Sequence, residues 1–117
     1  MEFTLKWLAL FVILGIVKSD FTVPKAEIEV LQPKGIRVSI PGSPGITFTE
    51  FHANINKEIK EKELGDIFIR VTHPQDGNWM FIDRDQELKQ GDVLHYWIYV
   101  HHEGLGYTKH DLSFKVE

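Results

Sequence analysis

Three groups of side chains in this chain have chemistry beyond packing: histidines, paired carboxylates and large aromatics. The six histidines raise the question of a metal. His101 and His102 are adjacent, so on a strand they point to opposite faces. His95 and His101 share a face, but six residues at about 3.3 Å each separate them by roughly 20 Å. Neither pair can chelate one ion, and no metal or cofactor is expected. Glu27/Glu29 and Asp83/Asp85 stand two apart and so share a strand face. A glycosidase needs its carboxyls about 5–10 Å apart across a cleft, so these pairs read as solvated faces. There is no Gly-x-Ser-x-Gly, no cysteine and no phosphate-binding loop, and no enzyme is predicted. Trp79, Trp97, Tyr96, Tyr99 and Tyr107 could stack on sugar rings where exposed. On strands the same residues plug cores, and Trp79 and Trp97 are assigned there.

The elements that position these groups are strands. Val93 to His102 is rich in β-branched and aromatic residues, with Leu94, Tyr96, Ile98 and Val100 on one face and His95, Trp97, Tyr99 and His101 on the other. Neither face is plainly polar, which places this strand inside a sheet, with Trp97 buried between two sheets. Strict alternation marks two more strands, Ala26-Ile28-Val30 and Ile36-Val38-Ile40. Ile46 to Ile55 changes phase, since Ile46 and Phe48 fall on one side and Phe51, Ala53 and Ile55 on the other. A β-bulge near Thr49-Glu50 would do this. Residues 56–63 are charged and read as a loop. Ile67-Ile69-Val71 and Trp79-Phe81 flank Pro74-Gln75-Asp76-Gly77, which reads as a hairpin turn. Leu112, Phe114 and Val116 form the last strand. About seven short strands without helical periodicity predict an all-β antiparallel sandwich.

The 117-residue chain carries a formal net charge of −4. Residues 1–19 read as a secretory signal peptide: Lys6, an apolar run from Trp7 to Val17, then Ser19 before the cut. The run is too short for the roughly 20 residues of a membrane span. Cleavage leaves residues 20–117 as one secreted β-sandwich domain and removes Glu2, Lys6 and Lys18. An acidic domain of this kind is not a nucleic-acid binder. Without cysteine it must be held by an ordinary hydrophobic core.

Pro33-Lys34-Gly35-Ile36-Arg37-Val38-Ser39-Ile40-Pro41 resembles the opening signature of the insect β-1,3-glucan recognition proteins, also called Gram-negative bacteria-binding proteins. The similarity continues, in order and spacing, through Phe51-His52, Gly77-Asn78-Trp79, Phe81-Ile82-Asp83-Arg84, Gly91-Asp92, Tyr96-Trp97 and Gly104-Leu105-Gly106-Tyr107. It covers nearly all of residues 20–117 and points to the family's N-terminal carbohydrate-binding module, in a stand-alone form. The resemblance implies an immunoglobulin-like sandwich and binding of β-1,3-glucan on fungal or microbial surfaces. It also implies a place upstream of immune-cascade proteins. Gly42 and Ser43 stand where members often carry acidic residues, and Ile67-Phe68-Ile69-Arg70 where many read Trp-Ala-Arg-Asp. Ile82 replaces a common arginine.

Planar guanidinium and carboxylate groups can pair with sugar hydroxyls. The resemblance therefore selects Asp83 and Arg84, then Arg37 and Lys34, then Arg70, as carbohydrate-binding residues. A second reading follows from the departures. Apolar residues at 67–69 and 82 could form a patch for an immune-cascade protein, in a module that has lost glucan binding.

Overall fold

A computed structural model describes residues 21–117, so the expected signal segment at 1–19 lies outside the described residues. The chain forms seven strands: β1 (Glu27–Val30), β2 (Ile36–Pro41), β3 (Ile46–Ile55), β4 (Ile67–Val71), β5 (Asn78–Asp83), β6 (Val93–His102) and β7 (Leu105–Lys115). They make two antiparallel sheets, a three-stranded sheet ordered β1-β2-β5 and a four-stranded sheet ordered β4-β3-β6-β7. This is the expected all-β sandwich, with the three-plus-four strand count of a small immunoglobulin-like domain. Among the described residues no helix is long and apolar enough to cross a membrane.

Alternation places the core. Ile36, Val38 and Ile40 of β2 and Trp79 and Phe81 of β5 face Phe51 and Ala53 of β3 and Leu94, Tyr96, Ile98 and Val100 of β6. The strand β6 lies between β3 and β7, as its two apolar faces require.

Three details differ from the sequence reading. The slip in β3 falls between Ile46 and Phe48 rather than at Thr49-Glu50. Ile46 still packs on the core, while Phe48, Glu50 and His52 turn outward. Secondly, β4 and β5 do not pair. The 72–77 connection crosses from one sheet to the other, because β5 finds its partner in β2, from Ile36↔Asp83 to Pro41↔Asn78. Thirdly, Trp97 is buried, at 6% exposure, but on the outer side of the four-stranded sheet. The 56–66 connection folds over it, and its Nε1–H donates to Glu63 O at 2.9 Å. The side chain thus fills a small second core, beneath a loop that also buries Ile59.

Candidate functional site

Four of the five selected residues gather at one end of the three-stranded sheet. Register aligns Glu29, Arg37 and Ile82 as a row across its outer face. Arg37 is ion-paired through Nη2 to Glu29 Oε1, both groups remaining well exposed. Lys34 lies in the turn between β1 and β2, which packs on the corner after β5. Gly35 N donates to Gln86 O at 2.7 Å. Gly35 has φ +116°, and a Cβ there would lie 2.9 Å from Asp83 O and 3.0 Å from Arg84 Cα. Only glycine allows that approach. Asp83 is occupied locally: Oδ1 accepts from Asp85 N at 2.9 Å and Oδ2 from Gln86 Nε2 at 3.3 Å. Arg84 is exposed and, like Lys34, has no ion-pair partner among the described residues.

Arg70 is elsewhere, on the outer face of the opposite sheet. Its Nε donates to Glu50 Oε2 at 2.8 Å, and Nη2 reaches the same oxygen. Glu50 also meets His52 Nε2 at 2.9 Å. Burial raises the Glu50 pKa, but the hydrogen bonds and charges of His52 and Arg70 outweigh it and hold the carboxyl below its ordinary 4.5. Two ring stacks flank this acid. His52 is sandwiched between Phe68 at 4.8 Å and Trp97 at 4.0 Å. Phe48 stacks on His101 at 4.8 Å and carries the Arg70 guanidinium at 5.0 Å from its centroid.

Comparison with known proteins supplies the family. The family model CBM39, a carbohydrate binding domain (family 32), matches residues 22–117. The chain belongs to this carbohydrate-binding family. It is 45% identical over 107 residues to Gram-negative bacteria-binding protein 3 of Drosophila melanogaster, covering 92% of this chain and 21% of that protein. It is 37% identical over 107 residues to a beta-1,3-glucan-binding protein of Hyphantria cunea, covering 92% of this chain and 22% of the other. A beta-1,3-glucan-binding protein of Tenebrio molitor is 40% identical over 102 residues, covering 84% and 21%. The chain therefore spans about a fifth of the length of these relatives. The crystal structure of a Br derivative of BhCBM56 superposes with TM-score 0.62 at 19% identity, covering 81% of this chain and 94% of that one. That likeness shows the fold.

Within this CBM39 module, one departure from the family pattern has a structural account. Gly42 N donates to Gly77 O at 2.8 Å, and a Cβ on Gly42 would fall 2.6 Å from that oxygen. An acidic side chain at 42 is incompatible with this closed loop pair. The apolar departures do not form one surface. Phe68 is 45% exposed on the four-stranded sheet, Ile82 is half-buried on the other sheet, and Ile67 is buried at 2%. Sequence reasoning missed the ring stacks on the four-stranded sheet. The signal was present in Phe48, Glu50 and His52, which alternate once the bulge is moved to Thr47.

Proposed function

We propose that this chain is a secreted, non-catalytic module that binds β-1,3-glucan of fungal or microbial surfaces in insect innate immunity. The observation that carries the reading is the match of residues 22–117 to a carbohydrate-binding family, with relatives named for β-1,3-glucan binding. The signal-like residues 1–19 support secretion. Arg84 and Lys34 are the exposed cations at the shared end of the three-stranded sheet. Arg37 adjoins them, and these three groups would donate to glucan hydroxyls. Asp83 acts mainly by holding the corner that presents Arg84. Arg70 belongs to a different face. Glu27 and Glu29 lie on an exposed sheet face. The carbohydrate-binding family is what supports binding without hydrolysis, and in this reading the signal is passed on to immune-cascade proteins.

Retention of the full chain on insoluble curdlan tests the reading. Binding that competes with soluble laminarin is expected. Failure to bind at any practical concentration, with the protein folded, overturns it. The alternative protein-interaction patch would need Phe68 and Ile82 on one surface, and their separation weighs against it.

A further inference from the structure

The outer face of the four-stranded sheet is unusual for a face turned to solvent. Antiparallel sheets with one solvated side normally alternate polar residues outward. Here the outward positions of β3, β4 and β6 carry Phe48, Phe68, Trp97, Tyr99 and His101 around one acid, Glu50. Trp97 and His52 are covered, at 6% and 2% exposure, so they cannot touch a ligand. Phe68 is different. One face of its ring rests on His52 and the side chain remains 45% exposed. Leu64, whose carbonyl oxygen lies 3.1 Å from His52 Nδ1, is 62% exposed beside it.

The polar groups point to one class of ligand. Arg70 is fixed by Glu50 and by the Phe48 ring beneath its guanidinium. Its charge is already neutralised by Glu50, so a charged partner would find little countercharge here. The guanidinium nevertheless retains unused donors in a fixed plane, which suit hydroxyl groups, while Glu50, largely covered and with both oxygens engaged by Arg70 and His52, holds it in place. An exposed ring backed by a stack, next to a preorganised and neutralised Arg–Glu pair, matches a neutral polyhydroxylated ring with an apolar face.

We propose that this face is a second glycan-binding surface. A neutral glucan strand would lie over Phe68, with Arg70, held by Glu50, engaging its hydroxyls. The inference rests on the glucan-binding reading and adds to it a second, opposite-facing contact. A module with glycan contacts on both sheets can engage two strands of one polysaccharide, and its retention on an insoluble glucan gains from avidity.

The test is an NMR titration of the full chain with laminarihexaose, beside Phe68→Ala and Arg70→Ala variants whose melting is checked first. Saturable shifts are expected at 48, 68, 70 and 99 as well as at 34, 37 and 84. In either variant the first group of shifts should vanish while the second persists. Curdlan retention should weaken at least about tenfold. Shifts confined to 34, 37 and 84, with both variants binding as wild type, overturn this inference and leave the glucan-binding reading intact. Absence of all shifts and of curdlan retention removes both. Shifts at 48, 68 and 70 that grow with protein concentration in the absence of sugar would make the face a contact between copies, and would also overturn the proposal.

Discussion

Asp83 and Arg84 stand side by side, yet their side chains have different surroundings. The Asp83 carboxylate is engaged by Asp85 N and Gln86 Nε2, whereas Arg84 points outward. Asp83→Ala should therefore cost stability, about 1 kcal/mol by thermal melting, from loss of this turn-capping pair. Arg84→Ala should melt like wild type and bind curdlan about tenfold more weakly, as expected for one charge-assisted hydrogen bond. If Arg84→Ala binds unchanged, the end of the three-stranded sheet is not the glucan contact. A second residue-scale prediction concerns the core. Thr49 is fully buried, and its hydroxyl has no hydrogen-bond partner among the described residues. Leaving such a group unpaired costs about 1–3 kcal/mol. Thr49→Val should gain about 1 kcal/mol, which raises the melting midpoint by roughly 4–8 °C in a domain of this size. A drop instead would show that the hydroxyl is satisfied in solution.

The 56–66 connection behaves as part of the fold rather than as a free loop. Asn54 Nδ2 donates to Glu58 O at 3.1 Å, Asp66 N donates to Asn54 Oδ1 at 2.8 Å, and Trp97 holds Glu63 O. Gly65, at φ +78°, brings the chain against Ala53 O, where a Cβ would sit 2.6 Å away. Trp97→Ala should remove about 3–5 kcal/mol, a large part of the roughly 5–15 kcal/mol available. Trp97→Phe keeps most of the ring but lacks the N–H, and should cost about 1 kcal/mol. It should also speed proteolysis within 56–66. Equal cleavage of both proteins would show that the loop is pinned elsewhere. The burial of Trp97 was legible from its place in an apolar strand, but its side was not. Period-2 alternation sorts residues into two faces without saying which is covered by a distant loop. The same limit explains the 72–77 connection. Pro74-Gln75-Asp76-Gly77 encodes a turn, but whether the following strand pairs with β4 or with β2 depends on the whole sheet. By contrast β2 was fully legible, because Ile36, Val38 and Ile40 alternate without a break. Of the site, the shared end of Lys34, Arg37, Asp83 and Arg84 came from a motif match, and the separation of Arg70 needed the register.

At the scale of the molecule, the two sheets turn different outer surfaces to solvent, and the sandwich is joined without any disulfide. Its response to acid then depends on its hydrogen-bonded carboxylates. Glu50 bridges His52 on its own strand and Arg70 on β4, and its folded pKa is below the ordinary 4.5. Asp92 is lowered too, from 3.8, first by the backbone N–H of Lys89 and then by the Asn56 side chain. For a lowered acid, the unfolded chain binds more protons across the interval between the two pKa values, so stability rises with pH there. The contribution is complete above the unfolded values, near 4.5 and 3.8, and is lost as pH falls through the lower folded values. The melting midpoint should accordingly hold steady from pH 7 to about pH 5 and fall as the pH is taken from there toward about 3. Glu50→Gln keeps an acceptor but cannot ionise. It should melt below wild type at pH 7 and lose less between pH 5 and pH 3, so that the two curves converge in acid. Parallel curves across that range would show that Glu50 is not a source of the acid sensitivity.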